Sequence, residues 1–170
     1  MSVAATNRQR VRKINLPLLK KIVSVLLAEL EIGPADIGIC LVDALEMTRL
    51  NESFLRHAGS TDVITFDYRP AGEAGCALPA SGAHRASRPA IQGEIFVCMD
   101  EAVLQARKFG TSWPSEIVRY IVHGTLHLTG HEDRRPAARR KMKREENRLL
   151  GRLARRFSLA QLSRPARISA

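Results

Sequence analysis

The sequence predicts an α+β domain, with a single small mixed β-sheet of three to four strands packed with about five helices. Three observations carry this expectation. Apolar residues recur at three- and four-residue spacing over residues 15–31 and again over 136–157, which is the pattern of amphipathic helices. Short runs at 36–42, 60–66 and 92–99, the second of them β-branched, read as strands. A further apolar-rich helix carries His123 and His127 four positions apart, so it is expected to be a zincin-like metal helix. With 170 residues, 18.9 kDa and 45% hydrophobic side chains, the chain suits one domain with one sizeable core. The expected organisation is a flexible N-terminus over 1–13, a folded domain over 14–158 and a basic disordered tail over 159–170.

Taken in order, Leu18, Leu19, Ile22, Val23, Leu26, Leu27 and Leu30 form the apolar stripe of the first helix, which Gly33-Pro34 is expected to end. Ile37, Ile39, Leu41 and Val42 make a strand, after which Asp43 caps a helix running to about Arg56. Ser60 to Phe66 is the next strand. Residues 69–90 contain Pro70, Pro79, Pro89 and three glycines with neither helical nor strand period, and are expected to be a flexible insertion, with an ordered lid over the site as the alternative; His84, which sits there with Arg85, reads as solvated. Gln92 to Met99 is another strand, followed by Asp100 as cap and a helix over 101–109 closed by Gly110. Pro114 sits near the first turn of the metal helix, with Thr111 or Ser115 as its cap. The last helix sets Ala138, Met142, Leu149, Leu150, Leu153 and Phe157 against a face of arginines.

Charge is unevenly distributed. Residues 134–170 hold 13 Lys and Arg against 2 Glu, a net of +11, whereas residues 1–133 hold 14 against 15, a net of −1, for a total of +10. A near-neutral body with a basic segment starting just after the histidines points to a polyanionic partner such as nucleic acid. The odd count of three cysteines, Cys40, Cys76 and Cys98, without a pairing motif suits a reducing compartment. No apolar run reaches the roughly 20 residues of a membrane span, so a cytoplasmic location is expected.

His123 and His127 can bind one metal ion from a rigid element, and Gly130 can then turn the chain back toward them. His131 and Asp133 follow that turn, and both are of ligand type. A peptidase of the His-Glu-x-x-His kind needs a glutamate base at position 124, where this chain has Gly124. Glu116 lies two turns before His123 on the same face, either orienting the site or pairing with Arg119.

The stretch His123-Gly124-Thr125-Leu126-His127-Leu128-Thr129-Gly130-His131-Glu132-Asp133 resembles the signature of the YbeY family of endoribonucleases, His-Gly-x-Leu-His-Leu-x-Gly-Tyr/His-Asp-His. Thr61-Asp62-Val63-Ile64-Thr65-Phe66 is similar to the family's Thr-Asp-Val-Leu-Ser-Phe, and Gly93-Glu94-Ile95 to its Gly-Asp-Ile. The likeness runs over about residues 14–157. It implies a metal-dependent, single-strand-specific endoribonuclease that matures ribosomal RNA at the 3′ end of the small-subunit RNA and serves ribosome quality control. It also implies one zinc ion held by His123, His127 and a third ligand. The family's last histidine falls on Asp133, which is therefore the expected third ligand ahead of His131. Arg56 is the nearest match to the family's arginine upstream of the Thr-Asp-Val strand, which makes it the candidate catalytic guanidinium; read without the resemblance, it is a solvated helix-end residue. Two other classes stand beside this one: a zinc metallopeptidase, and a non-catalytic RNA-binding factor of ribosome assembly.

Overall fold

The structure, a computed structural model, describes residues 1–70 and 90–163. Four strands form one mixed sheet: β1 (Ser2–Asn7), β2 (Ala35–Val42), β3 (Val63–Asp67) and β4 (Ile91–Cys98) lie in the order β1-β2-β4-β3. The first three neighbours run parallel, and β3 closes the far edge antiparallel to β4. Five α-helices accompany it: α1 (Leu16–Glu29), α2 (Ala44–Leu50), α3 (Met99–Phe109), α4 (Trp113–Leu128) and α5 (Pro136–Arg156). Thus the expected α+β class holds.

Strand alternation sorts the side chains into two layers. Ile37, Ile39 and Leu41 of β2 with Ile91, Ile95 and Val97 of β4 face α1, α4 and α5 and join the main core, together with Leu19, Leu26, Ile117, Ile121 and Leu149. On the other face Cys40, Val42, Ile64, Phe96 and Cys98 make a smaller cluster under Met47 of α2. Burial raises the pKa of both free thiols, that of Cys98 to about 11, so they sit as small apolar side chains rather than nucleophiles. Cys76 lies outside the described residues.

Several expectations need correction. Residues 2–7, expected within a flexible terminus, are strand β1, because Val3 and Ala5 alternate onto the core beside β2. Its Ala and Ser content gave no β-branched run to read. The following segment is also fixed: buried Gln9 donates to the Arg12 carbonyl at 2.8 Å and accepts from the Arg12 amide at 2.9 Å. At the other end, Leu159–Ser163 form a 3-10 turn with Leu162 fully buried, and the Leu162 carbonyl accepts from the Asn15 amide at 2.9 Å. The expected disordered tail therefore starts no earlier than residue 164, outside the described residues. The expected insertion at 69–90 likewise opens on a fixed residue, Arg69; residues 71–89, with His84 and Arg85, lie outside the description.

Capping differs in two places. Asp100, expected to cap its own helix, instead accepts from the Ala44 amide at 2.7 Å and so helps cap α2 across the sheet, alongside Asp43. For α4 the cap is Ser112, whose hydroxyl accepts from the Ser115 amide, while the Thr111 hydroxyl donates to Glu116 at 2.6 Å. The helix expected to run to Arg56 stops at Leu50 and widens into a π turn over Asn51–Leu55.

Candidate metal centre

The centre is built on the last turn of α4. The helix lies across β3 and β4, and Gly124 is what lets it approach: a Cβ there would stand 2.9 Å from Ile95 Cγ2 and 3.1 Å from Thr65 Oγ1. Any larger residue at 124, a glutamate included, would collide with the sheet. The helix ends in a Schellman turn, with the His131 amide donating to the Leu126 carbonyl at 3.0 Å and the Gly130 amide to that of His127 at 2.9 Å. Gly130 takes the required left-handed conformation at φ 88°. The chain doubles back and brings Asp133 over the histidines, where its carbonyl accepts from Arg139 Nε at 3.0 Å.

Three donors then converge. His123 Nε2 and His127 Nε2 are 3.1 Å apart, and Asp133 Oδ2 lies 4.0 Å from the first and 3.9 Å from the second. Among the described residues this is the group of histidine, cysteine and carboxylate side chains whose donor atoms can share one ion, all within 4.8 Å of each other. Two donors on a tetrahedral ion with bonds of about 2.0–2.1 Å stand roughly 3.3 Å apart, so the imidazole pair is at ligand spacing and the carboxylate needs only a small inward movement.

The opposite ring nitrogens decide what the pair can do. His123 Nδ1 is 3.1 Å from Glu146 Oε2 of α5, and His127 Nδ1 is 3.0 Å from the His131 carbonyl. Each acceptor calls for a proton on Nδ1, which leaves the Nε2 lone pairs facing one another. Two lone pairs at that separation repel unless a cation lies between them. Burial, with the neighbouring His123 ring, lowers the pKa of His127 and keeps it neutral, the form that ligates. The residues therefore fit a divalent ion of the zinc type.

Glu146 is itself held. Burial alone would raise its pKa, but hydrogen bonds from His123, from Lys143 at 2.6 Å and from Arg119 at 2.7 Å outweigh this and bring it down to about 2. The site opens into a cleft of about 620 Å³ lined by Leu55, by Val63, Ile64, Thr65 and Asp67 of β3, and by residues 131–134. Arg69 ties the two walls together. Its guanidinium grips both carboxylate oxygens of Asp67, at 2.9 and 2.6 Å, and donates to the Leu128 carbonyl at the end of α4 at 2.5 Å.

This arrangement can be set beside known proteins. The family model described as Endoribonuclease YbeY matches residues 3–154, nearly the whole described fold. The chain belongs to the YbeY family. Among relatives named Endoribonuclease YbeY, that of Salinibacter ruber is 40% identical over 114 residues, 67% of this chain and 68% of its own length. That of Elusimicrobium minutum is 34% identical over 133 residues, 78% of this chain and 85% of its own. The Geobacter metallireducens relative, at 29% identity, spans 91% of this chain and 97% of its own. A solution structure of a Thermotoga maritima protein shares the fold at a TM-score of 0.64, with 22% identity and 99% of both chains covered.

For this YbeY-family chain the structure gathers His123, His127 and Asp133 and leaves the His131 ring aside, 3.2 Å from the Thr129 hydroxyl. Arg56 is not among the cleft-lining residues. It follows Leu55, which is, with an exposed side chain and a left-handed backbone at φ 57° that ends the π turn. Glu116, read as either orienting the site or pairing with Arg119, does the second: it is buried, accepts from the Thr111 hydroxyl and lies 3.6 Å from Arg119, away from His123. The residue that orients His123 is Glu146, which the sequence reading missed. Its signal was present: in the stripe Met142, Leu149, Leu150, Leu153, position 146 falls on the apolar side, and a carboxylate there calls for partners.

Proposed function

We propose that this protein is a single-strand-specific, zinc-dependent endoribonuclease that matures ribosomal RNA, at the 3′ end of the small-subunit RNA, and acts in ribosome quality control in the cytoplasm. The observation that carries the reading is the pair of Nε2 atoms held face to face by Glu146 and the His131 carbonyl, with Asp133 beside them at the floor of an open cleft. His123, His127 and Asp133 would hold the ion. Once bound, it supplies a Lewis acid that stabilises negative charge developing on a phosphodiester. The chain's own part is positioning. The histidine side chains are only 27% and 32% exposed within the cleft, and a flexible single strand can bend into it more readily than a rigid duplex. Arg134 lines the cleft, and exposed Arg56 follows the cleft-lining Leu55 in the chain; both are candidates to meet the scissile or flanking phosphates. Exposed cations of α5, among them Arg140, Lys141 and Arg144, would add contacts to the phosphate backbone.

The peptidase reading is disfavoured by Gly124, which lacks the base and, packed on Ile95 and Thr65, has no room for one. The test is metal content by mass spectrometry on protein purified without added metal or chelator, with cleavage of a single-stranded and a duplex ribosomal fragment by wild type and His127→Ala. About one zinc per chain, cleavage confined to the single strand and loss of both in the variant are expected. Metal-free protein that cleaves neither substrate with any divalent ion restored would leave only the assembly-factor reading.

A further inference from the structure

The π turn beside the cleft carries an exposed aromatic ring that the metal chemistry does not use. Phe54 is 63% exposed, yet it is not loose: its ring meets Phe66 of β3 edge-on at 5.1 Å between centroids, and Phe66 meets buried Phe96 of β4 in the same manner at 5.6 Å. A π turn holds more residues per turn than an α-helix and re-aims its side chains, a feature that recurs at functional sites. Here it seats Phe54 on Phe66 while the next residue, Leu55, lines the metal cleft. Arg56 and His57 follow, both exposed. The turn itself is pinned by buried Asn51, whose side-chain amide donates to the Gly59 carbonyl at 2.8 Å.

The geometry points to Phe54 as a stacking platform for a nucleobase of the RNA strand that enters the metal cleft past Leu55. This rests on the endoribonuclease reading above and names what that site recognises beside the scissile phosphate. Stacking on an aromatic face is the usual way a protein holds an unpaired base, because a base in a duplex has no free face to offer. A ring already braced by Phe66, which is itself held by Phe96, loses little freedom when a base lands on it. The Arg56 guanidinium, two residues on, can meet the phosphate of the same nucleotide. A protein partner fits less well. The exposed apolar surface of Phe54 and Leu55 is two side chains wide, far below the roughly 1,000 Å² that a stable protein contact needs, and Arg56 stands next to it.

The experiment uses the full chain loaded with zinc and two oligoribonucleotides of equal length, one carrying 2-aminopurine at successive positions and one abasic at them. Stopped-flow fluorescence reads binding before cleavage, and steady-state assays give KM and kcat. Phe54→Ala should weaken binding of the base-bearing strand by about 5- to 150-fold, the equivalent of the roughly 1–3 kcal/mol that base–aromatic stacking contributes. KM should rise in parallel with kcat within about twofold, and most of the rapid fluorescence change should vanish. Phe54→Leu, which refills the contact with Phe66 but has no π face, should be as weak as the alanine variant, whereas Phe54→Trp should bind like wild type. All four proteins should bind the abasic strand alike. An alanine variant within twofold of wild type on the base-bearing strand, or one equally weakened on both strands, overturns the proposal. A fall in oligomeric mass without a change in RNA affinity overturns it in favour of a protein contact. Base-dependent binding through Phe54 in a wild type that cleaves nothing would leave stacking standing and remove the endoribonuclease reading instead.

Discussion

A single carboxylate, Glu146, fixes the tautomer of His123 while being almost fully buried between Arg119 and Lys143. Glu146→Gln can still accept at Nδ1 but loses the charge that makes the ring a strong donor. Zinc affinity should fall by about 10- to 100-fold, the usual effect of losing such a partner, as read by competition with a chromophoric chelator. Glu116→Gln, two turns away, should bind zinc as wild type does; equal weakening in both variants would mean that the effect is general destabilisation. Arg56 poses a different question, because its left-handed backbone is a conformation glycine adopts at less cost. Arg56→Gly should match or exceed wild-type stability, by up to about 1 kcal/mol in urea unfolding. If the guanidinium meets the substrate, the same variant should cleave at least tenfold more slowly. A stable, fully active glycine variant would assign Arg56 to the turn alone.

At the scale of elements, α4 is defined by what touches its two faces. Gly124→Ala should gain up to about 1 kcal/mol of helix propensity, but the new Cβ meets Ile95 at 2.9 Å. Overpacking against a sheet costs roughly 1–3 kcal/mol, so net destabilisation is expected in urea unfolding, with a displaced metal pair. A variant as stable as wild type would show that the helix can lift off the sheet freely. The outer face of α5 is where the proposed RNA contact can be tested apart from the fold. Arg140, Lys141 and Arg144 are exposed and have no ion pair among the described residues, whereas Arg148 and Arg152 are bonded to Glu145 and Glu29. Reversing the first three to glutamate should reduce the dependence of log affinity on log salt by about 0.7 per lost phosphate contact on single-stranded RNA, with melting temperature little changed. An unaltered salt slope would place the RNA elsewhere.

Across the whole molecule, acid should act through the contact between α4 and α5. Glu146 binds its proton near pH 2 in the folded chain and near 4.5 as an ordinary carboxylate, so the unfolded state takes up the proton first. Its contribution is complete above about pH 4.5 and disappears as pH falls toward 2. His127 acts in the same direction: its lowered pKa means that the unfolded chain protonates first below the ordinary value of 6.5. Urea midpoints of the metal-free protein should therefore decline stepwise, first below pH 6.5 and again below 4.5. In Glu146→Gln the second decline should be shallower, and an unchanged acid limb there would remove Glu146 as its cause.

What the sequence by itself determined was the local chemistry. Four-residue spacing places His123 and His127 on one helical face whatever surrounds them, Gly130 ends that helix, and the charge census marks residues 134–170 as the basic part. Periodicity also carried α1, β2, β4 and α5 to within a few residues of their bounds. Tertiary structure decided everything that depends on a distant partner. Strand β1 exists because β2 offers Ala- and Ser-rich residues a ladder to join, and Leu162 orders its turn by entering a core formed elsewhere. Asp100 caps a helix 56 positions away instead of its own. Glu146 becomes the partner of His123 only because α5 packs on α4, and Phe54 becomes a braced ring only because Phe66 and Phe96 lie in adjacent strands. Spacing along the chain fixes which side chains share a face of one element, whereas contacts between elements depend on how the whole core closes.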